Sequence, residues 1–370
     1  MRSAFFALPI VLLGLLGCGE QAPTDPGPAS QVAPTTEQAP KAKHGGGQGR
    51  RGKGAKGKGR KAPVSSAQAV TLDGGPAITF VINTHDWYFH ERSAQTVGRA
   101  IDILERHGVK GEFYFTSALF RAYQEHHPEL LARLQSTGMT ISYHARAPHP
   151  VTFRGQLSKR LQNMPHDQAV ALMTSVESHR LDLSTGAIDE SQVGGYLLLK
   201  EALGYAPPVV AFNSRSDLLR DLELEAVAAL GARMWMRKHT GDTLELSPLG
   251  LLSRPSQFAV SKVDGDNWWK TNKPYDTVEL FAGAQGYGVS LIHEHDFYAQ
   301  KPGWSDVYRT DERPNKPPFD LTVRQQDHKR YPDDHVAQTW ATWESLVAYA
   351  AQNLRVVTSR DIIAEYDAQH

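Results

Sequence analysis

Three short runs in this chain carry side chains able to hold a metal ion or move a proton, and each follows an apolar, β-rich segment. The first is Thr84-His85-Asp86-Trp87. The second is Tyr143-His144-Ala145-Arg146-Ala147-Pro148-His149-Pro150, and the third is His293-Glu294-His295-Asp296. Imidazole and carboxylate together suit zinc and similar divalent ions; three protein ligands with an open position make a Lewis-acid site that activates water. A single histidine of this kind reads as a hydrogen-bonded loop residue. Three converging runs read as a site.

Convergence needs a scaffold, and the surrounding pattern supplies one. Strands are expected at Ala77–Asn83, Lys110–Thr116 and Met139–Tyr143, and further on at Pro208–Phe212, Arg233–Met236, Gly288–His293 and Leu354–Val357. Between them, helices fit Thr96–Arg106, Pro128–Thr137, His166–Asp182, Gly194–Leu203, Leu218–Leu230, Thr277–Gln285 and His335–Asn353. Repeated strand–helix units force parallel strands covered by helices, in an open sheet or a barrel. In both, functional groups collect at the carboxyl ends of the strands, where the three runs fall.

The chain has 370 residues, 40% apolar and 22% charged, an ordinary globular composition with zero formal charge. That zero hides an asymmetry. Met1 to Ala69 carries ten Lys or Arg against three acids, so a basic arm precedes an acidic body. Arg2, the apolar run Ala4–Gly17 and then Cys18 predict a secretory signal over residues 1–17, too short for a comfortable membrane span. Cys18 is the single cysteine, which excludes a disulfide framework. Residues 18–69 are rich in Pro, Gly, Ala, Gln and Thr and predict a disordered tether. Within it Lys41–Lys61 holds nine Lys or Arg and no acid. It reads either as an adhesive segment for an anionic polymer or as a self-repelling spacer, with nucleic acid not expected as a partner. The globular domain is expected over residues 70–370.

Leu15-Leu16-Gly17-Cys18 resembles the bacterial lipoprotein lipobox. The resemblance implies cleavage before Cys18, lipid on its thiol, and an exported protein held on a membrane facing periplasm or exterior; Gly19 rather than Asp favours the outer membrane. The body resembles the polysaccharide deacetylase family, the NodB-homology carbohydrate esterases. Val81-Ile82-Asn83-Thr84-His85-Asp86-Trp87 occupies the place of the family's TFDDG motif, with Asp86 matching its metal-binding second Asp. Gly108–Phe115 looks like the second strand, and His144 with His149-Pro150 matches H-S-x-x-H-P. Ala202–Pro208 resembles the segment before the family's Arg motif, which puts Arg215 near the site. Ser290-Leu291-Ile292-His293 resembles the late motif carrying the catalytic His, and Leu354–Tyr366 the closing strand and helix.

The resemblance covers most of Ala77–Tyr366 and implies a distorted (β/α) barrel with parallel strands. It also implies a divalent ion of zinc type on Asp86, His144 and His149, and removal of N- or O-linked acetyl groups from a polysaccharide. Three departures bear on the roles. His85 replaces the Asp that is the family's usual base, so His85 or another carboxylate would take the proton of water. His144 and His149 are five apart with Pro148 between, so a loop must join them. Either His293 or His295 could protonate the leaving group, since residues two apart on a strand face the same way. Arg215 would orient the base or steady negative charge. Trp87, Tyr88, Trp268, Trp269, Tyr298 and Trp304 are candidates to cover sugar faces, and the Pro-rich stretch Asp296–Asp334 is a candidate cleft wall. The rival readings are a glycoside hydrolase, which would need two flanking carboxylates, hydrolysis of another acyl or amide bond, and a non-catalytic glycan-binding lipoprotein.

Overall fold

The run Ala-Ile-Thr-Phe-Val-Ile-Asn-Thr has no polar alternation, the signature of a strand buried on both faces. In a computed structural model it forms β2 (Ala77–Thr84), and all eight residues are buried. The structure describes residues 68–75, 77–152, 156–212, 217–236, 243–254, 286–308 and 319–370. Cys18, the basic segment, Arg215, Trp268, Trp269 and the helix expected at Thr277–Gln285 lie outside the described residues.

Around β2 stands one ten-stranded sheet. It contains β1 (Gln68–Val70), β3 (Glu112–Phe115), β4 (Thr140–Ala145), β7 (Val209–Phe212) and β8 (Met234–Met236). It also contains β9 (Leu244–Leu246), β10 (Leu252–Arg254), β11 (Tyr287–His293) and β12 (Arg355–Val356). The order is β1-β9-β10-β8-β7-β4-β3-β2-β11, with β12 added to the start of β2. Every pairing from β10 to β11 is parallel, and only β1–β9 and β9–β10 are antiparallel. The sheet is curled into a half-barrel with two ends, so the expected parallel α/β barrel is present in an open form. β5 (His179–Leu181) and β6 (Ile188–Val193) make a separate antiparallel pair.

Helices cover the sheet through apolar stripes. α1 (His90–Arg106) buries Ala94, Val97, Ala100, Ile101 and Leu104, spaced as one helical face requires. It starts six residues before the expected Thr96, because the polar opening His90-Glu91-Arg92 conceals a first turn that buries Ser93. α2 (Ser117–His126) was not evident from periodicity; Thr116 caps it by accepting the Leu119 N–H at 3.3 Å. α3 (Pro128–Ser136), α4 (Gln156–Leu161), α5 (His166–Ser178), α6 (Gly195–Leu203) and α7 (Asp217–Leu230) follow. The expected helix His166–Asp182 stops at Ser178, where the chain turns into β5.

The three runs leave the carboxyl ends of β2, β4 and β11. β11 lies beside β2 with His293 opposite Asn83, and β4 is joined to β2 through β3. Sheet register alone therefore brings residues about two hundred positions apart to one rim.

Candidate metal and catalytic site

His85 is the centre of the rim. Its ring lies 5.5 Å from that of His144, 5.1 Å from His293 and 5.2 Å from His295, and His293 and His295 are 5.3 Å apart. His85, His144 and His295 are buried, whereas the His293 side chain is 33% exposed. Burial, reinforced by the charges of His293, His295 and His144, holds His85 well below the ordinary imidazole range. Burial and then Arg146 do the same to His144. Burial brings His295 down to about 3, against the pull of Asp296. These three imidazoles are neutral at physiological pH, the state in which imidazole binds metal.

Hydrogen bonds decide which ring nitrogens remain open. The Trp304 indole N–H donates to His85 Nδ1 at 2.9 Å, which leaves the ring proton on Nε2. His85 Nε2 then faces Glu294 Oε2 at 3.9 Å. Asp296 serves two rings at once: Oδ2 lies 3.1 Å from His293 Nδ1 and Oδ1 lies 3.4 Å from His295 Nε2. That carboxylate orients both imidazoles and turns their other nitrogens away from it. His295 Nδ1, His144 Nδ1, His85 Nε2 and Glu294 Oε2 are all buried with no hydrogen-bond partner. Buried polar atoms without partners are costly, and four together mark a place built for something that satisfies them.

Glu294 holds the first loop in place. Its Oε1 accepts the backbone N–H groups of His85, at 2.5 Å, and Asp86. Burial, with Asp86 close by, pushes its carboxyl well above the usual range. Asp86 points away from the imidazoles; it accepts the Tyr298 O–H at 2.5 Å and the Trp304 backbone N–H at 3.3 Å. Burial raises its pKa and the Tyr298 bond opposes this.

His149 also faces elsewhere. A loop does join it to His144, with Arg146 N–H donating to His144 O and His149 N–H to Arg146 O, both at 2.9 Å. The imidazole, however, turns to Glu177 of α5, with Nε2 at 2.5 Å from Oε1. Val151 N–H donates to its Nδ1 at 3.3 Å, which places the ring proton on Nε2, the atom in contact with Glu177. Glu177 Oε2 accepts the Tyr196 N–H at 3.1 Å. Gly195 makes that approach possible: at φ 53°, an added Cβ would meet Glu177 backbone at 2.5 Å. Glu223 of α7 lies in the same buried pocket. Burial and the Glu177 charge push it well above the carboxylate range; burial also raises Glu177, but the contact with His149 outweighs it and leaves Glu177 below the range.

Two groups among the described residues bring metal-type donor atoms within 4.8 Å of one another: His85, Glu294 and His295, and His149, Glu177 and Glu223. The expected set of Asp86, His144 and His149 does not converge this way. The three side chains face Tyr298, His85 and Glu177 respectively. Sequence reasoning gave no role to Glu294 or Asp296, although both stand in the third run. It also missed Glu177 and Glu223, whose available signal was an acid on an apolar stripe. Glu177 continues Ala169, Met173 and Val176, and Glu223 sits with Leu219, Leu222 and Ala226.

No protein-family model matches this chain, and no curated protein matches its sequence. Several solved structures resemble it at low identity. PuuE allantoinase is 14% identical, with 80% of this chain and 91% of that one covered at a TM-score of 0.47. A probable polysaccharide deacetylase from Pseudomonas aeruginosa PAO1 is 14% identical, with 80% and 92% covered at 0.46. The peptidoglycan deacetylase PdaC from Bacillus subtilis is 13% identical, with 80% and 94% covered at 0.38.

Proposed function

We propose that the chain is a divalent-metal-dependent hydrolase that removes acetyl groups from a polysaccharide. The carrying observation is the rim of four imidazoles in which buried nitrogens and one carboxylate oxygen lack partners. His295 and Glu294, which converge with His85, would hold the ion together with His144, whose ring stands 5.5 Å from that of His85 and whose Nδ1 is buried without a partner. His85 itself is left out because its Nε2 carries the ring proton. Of the expected ligands this keeps His144 and replaces Asp86 and His149, whose acceptor atoms are taken inside the protein. When bound, the ion supplies polarisation of the acyl carbonyl and a water acidified toward neutrality. His293 accepts and returns the proton: it is the exposed imidazole of the group, and Asp296 holds its Nδ1 as a carboxylate holds a catalytic histidine. His85, with its proton fixed on Nε2 by Trp304, donates to the oxygen that gains charge rather than serving as the base.

A glycan-binding role without turnover draws on the same indole contact, because Trp304 occupies the His85 lone pair where the resembled family has its base. Acetate release from acetylated oligosaccharides, measured with zinc removed and restored, separates the two. Release that depends on zinc and is lost in His293→Ala supports hydrolysis. Glycan binding without release, across N- and O-acetylated oligomers, supports the binding role. Attachment to a membrane through Cys18 and contact of the basic segment with an anionic polymer remain part of the proposal, resting on the sequence.

A further inference from the structure

Beside His149 opens a pocket of about 190 Å³, room for one sugar ring rather than a chain. Its lining includes Trp87, Pro148, Pro150 and Leu181, apolar surfaces suited to the flat face of a pyranose. Arg121 of α2 and Arg180 of β5 line it too. Both guanidinium groups are held from the same strand, β6, by uncharged acceptors: Arg121 Nη2 donates to Val193 O at 2.6 Å and Arg180 Nη1 to Gln192 Oε1 at 2.7 Å. Among the described residues neither forms an ion pair with a carboxylate within 4 Å, although Arg180 stands opposite Asp189 across β5–β6 and acts on its charge. Glu125, the acid in the same lining, lies 3.8 Å from His126 Nε2. Burial and the neighbouring Arg180 charge both act against the charge on Arg121, and Glu125 acts the other way without reversing them. Two neighbouring guanidinium groups at one pocket, each hydrogen-bonded to an uncharged acceptor of β6, make a receptor for an anion carried on a ring.

We propose that this pocket is a subsite for a sugar residue bearing an anionic group, so that the glycan acted on is acidic. The inference rests on the proposed hydrolase reading only in naming the glycan as substrate; the subsite itself rests on the pocket and its two arginines. Uronic-acid carboxylates and sugar phosphates share the required chemistry.

The test is calorimetric titration of the full chain with tetragalacturonate, with tetra-N-acetylchitotetraose and with glucosamine 6-phosphate. The Arg121→Ala/Arg180→Ala double variant is titrated beside the parent, and Arg121→Lys is the conservative control. Both proteins keep the basic segment, so its attraction for anions cancels in the comparison. The expected result is tetragalacturonate binding about tenfold or more tighter than the neutral oligomer, with the preference lost in the double variant and partly kept in Arg121→Lys. Tighter binding of the sugar phosphate than of galacturonate, lost in the same variant, would support the anion subsite and assign it to phosphate. Equal affinity for acidic and neutral oligomers, or a preference untouched by the double variant at an unchanged melting temperature, would overturn it. Acetate release without preference defeats the subsite alone; preference without acetate release from any oligomer defeats the hydrolase reading alone.

Discussion

Glu223→Gln should make the protein more stable, increasingly so as pH rises. Glu223 is fully buried beside Glu177, and burial with that charge holds its folded-state pKa well above the ordinary glutamate value of 4.5. The unfolded chain releases the proton above that value while the folded chain keeps it, so unfolding releases a proton. Stability from this group is therefore present below about pH 4.5 and lost as pH rises toward the folded pKa. The loss is about 1.4 kcal/mol for each pH unit between the unfolded and the folded pKa. Glutamine keeps the shape and an N–H for Glu177 without the cost of holding a proton. Urea unfolding of parent and variant at pH 5, 6 and 7 measures the difference, which should grow with that slope. Parallel pH profiles would refute the protonated-Glu223 reasoning. A variant less stable than the parent, with a bound ion lost, would show that His149, Glu177 and Glu223 hold a cation instead.

Other changes bear on the rim. Asp296→Asn should weaken metal affinity about 10–100-fold in competition with a chelator, because one carboxylate orients both His293 and His295. Tyr298→Phe removes the O–H that Asp86 accepts inside the protein and should cost roughly 1.5–3 kcal/mol of unfolding free energy with little effect on bound metal. Metal-stripped protein should lose stability as pH falls below 6.5. His85, His144 and His295 have folded pKa values below the unfolded one, so each contributes stability above pH 6.5 and loses about 1.4 kcal/mol per unit on acidification. Thermal melts from pH 7 to pH 4 would show it, and a flat profile would contradict buried neutral imidazoles.

The sequence made the scaffold legible where burial wrote a plain pattern. β2 reads as a strand because both faces are covered, and α1 because its buried positions repeat at helical spacing. The hairpin β5–β6 was hidden, since its residues are polar or half-exposed and carry no alternation. At the site, the three runs named the rim, and strand register delivered it. Side-chain direction was not legible. Adjacent residues on an extended segment face opposite ways, so His85 and Asp86 cannot both look inward. Which one does is decided by Tyr298 and Trp304, more than two hundred residues away. His149 likewise turns outward from the rim because two helices place acids behind it.

Elemental analysis of the purified protein after equilibration with zinc tests the central claim most directly, made on the parent and on His144→Ala, His295→Ala, Asp86→Asn and His149→Gln. One ion per chain in the parent, lost in the first two variants and kept in the last two, is the expected result. Loss in Asp86→Asn and His149→Gln with retention in His295→Ala would contradict it and place the ion on the ligands that the sequence resemblance implied.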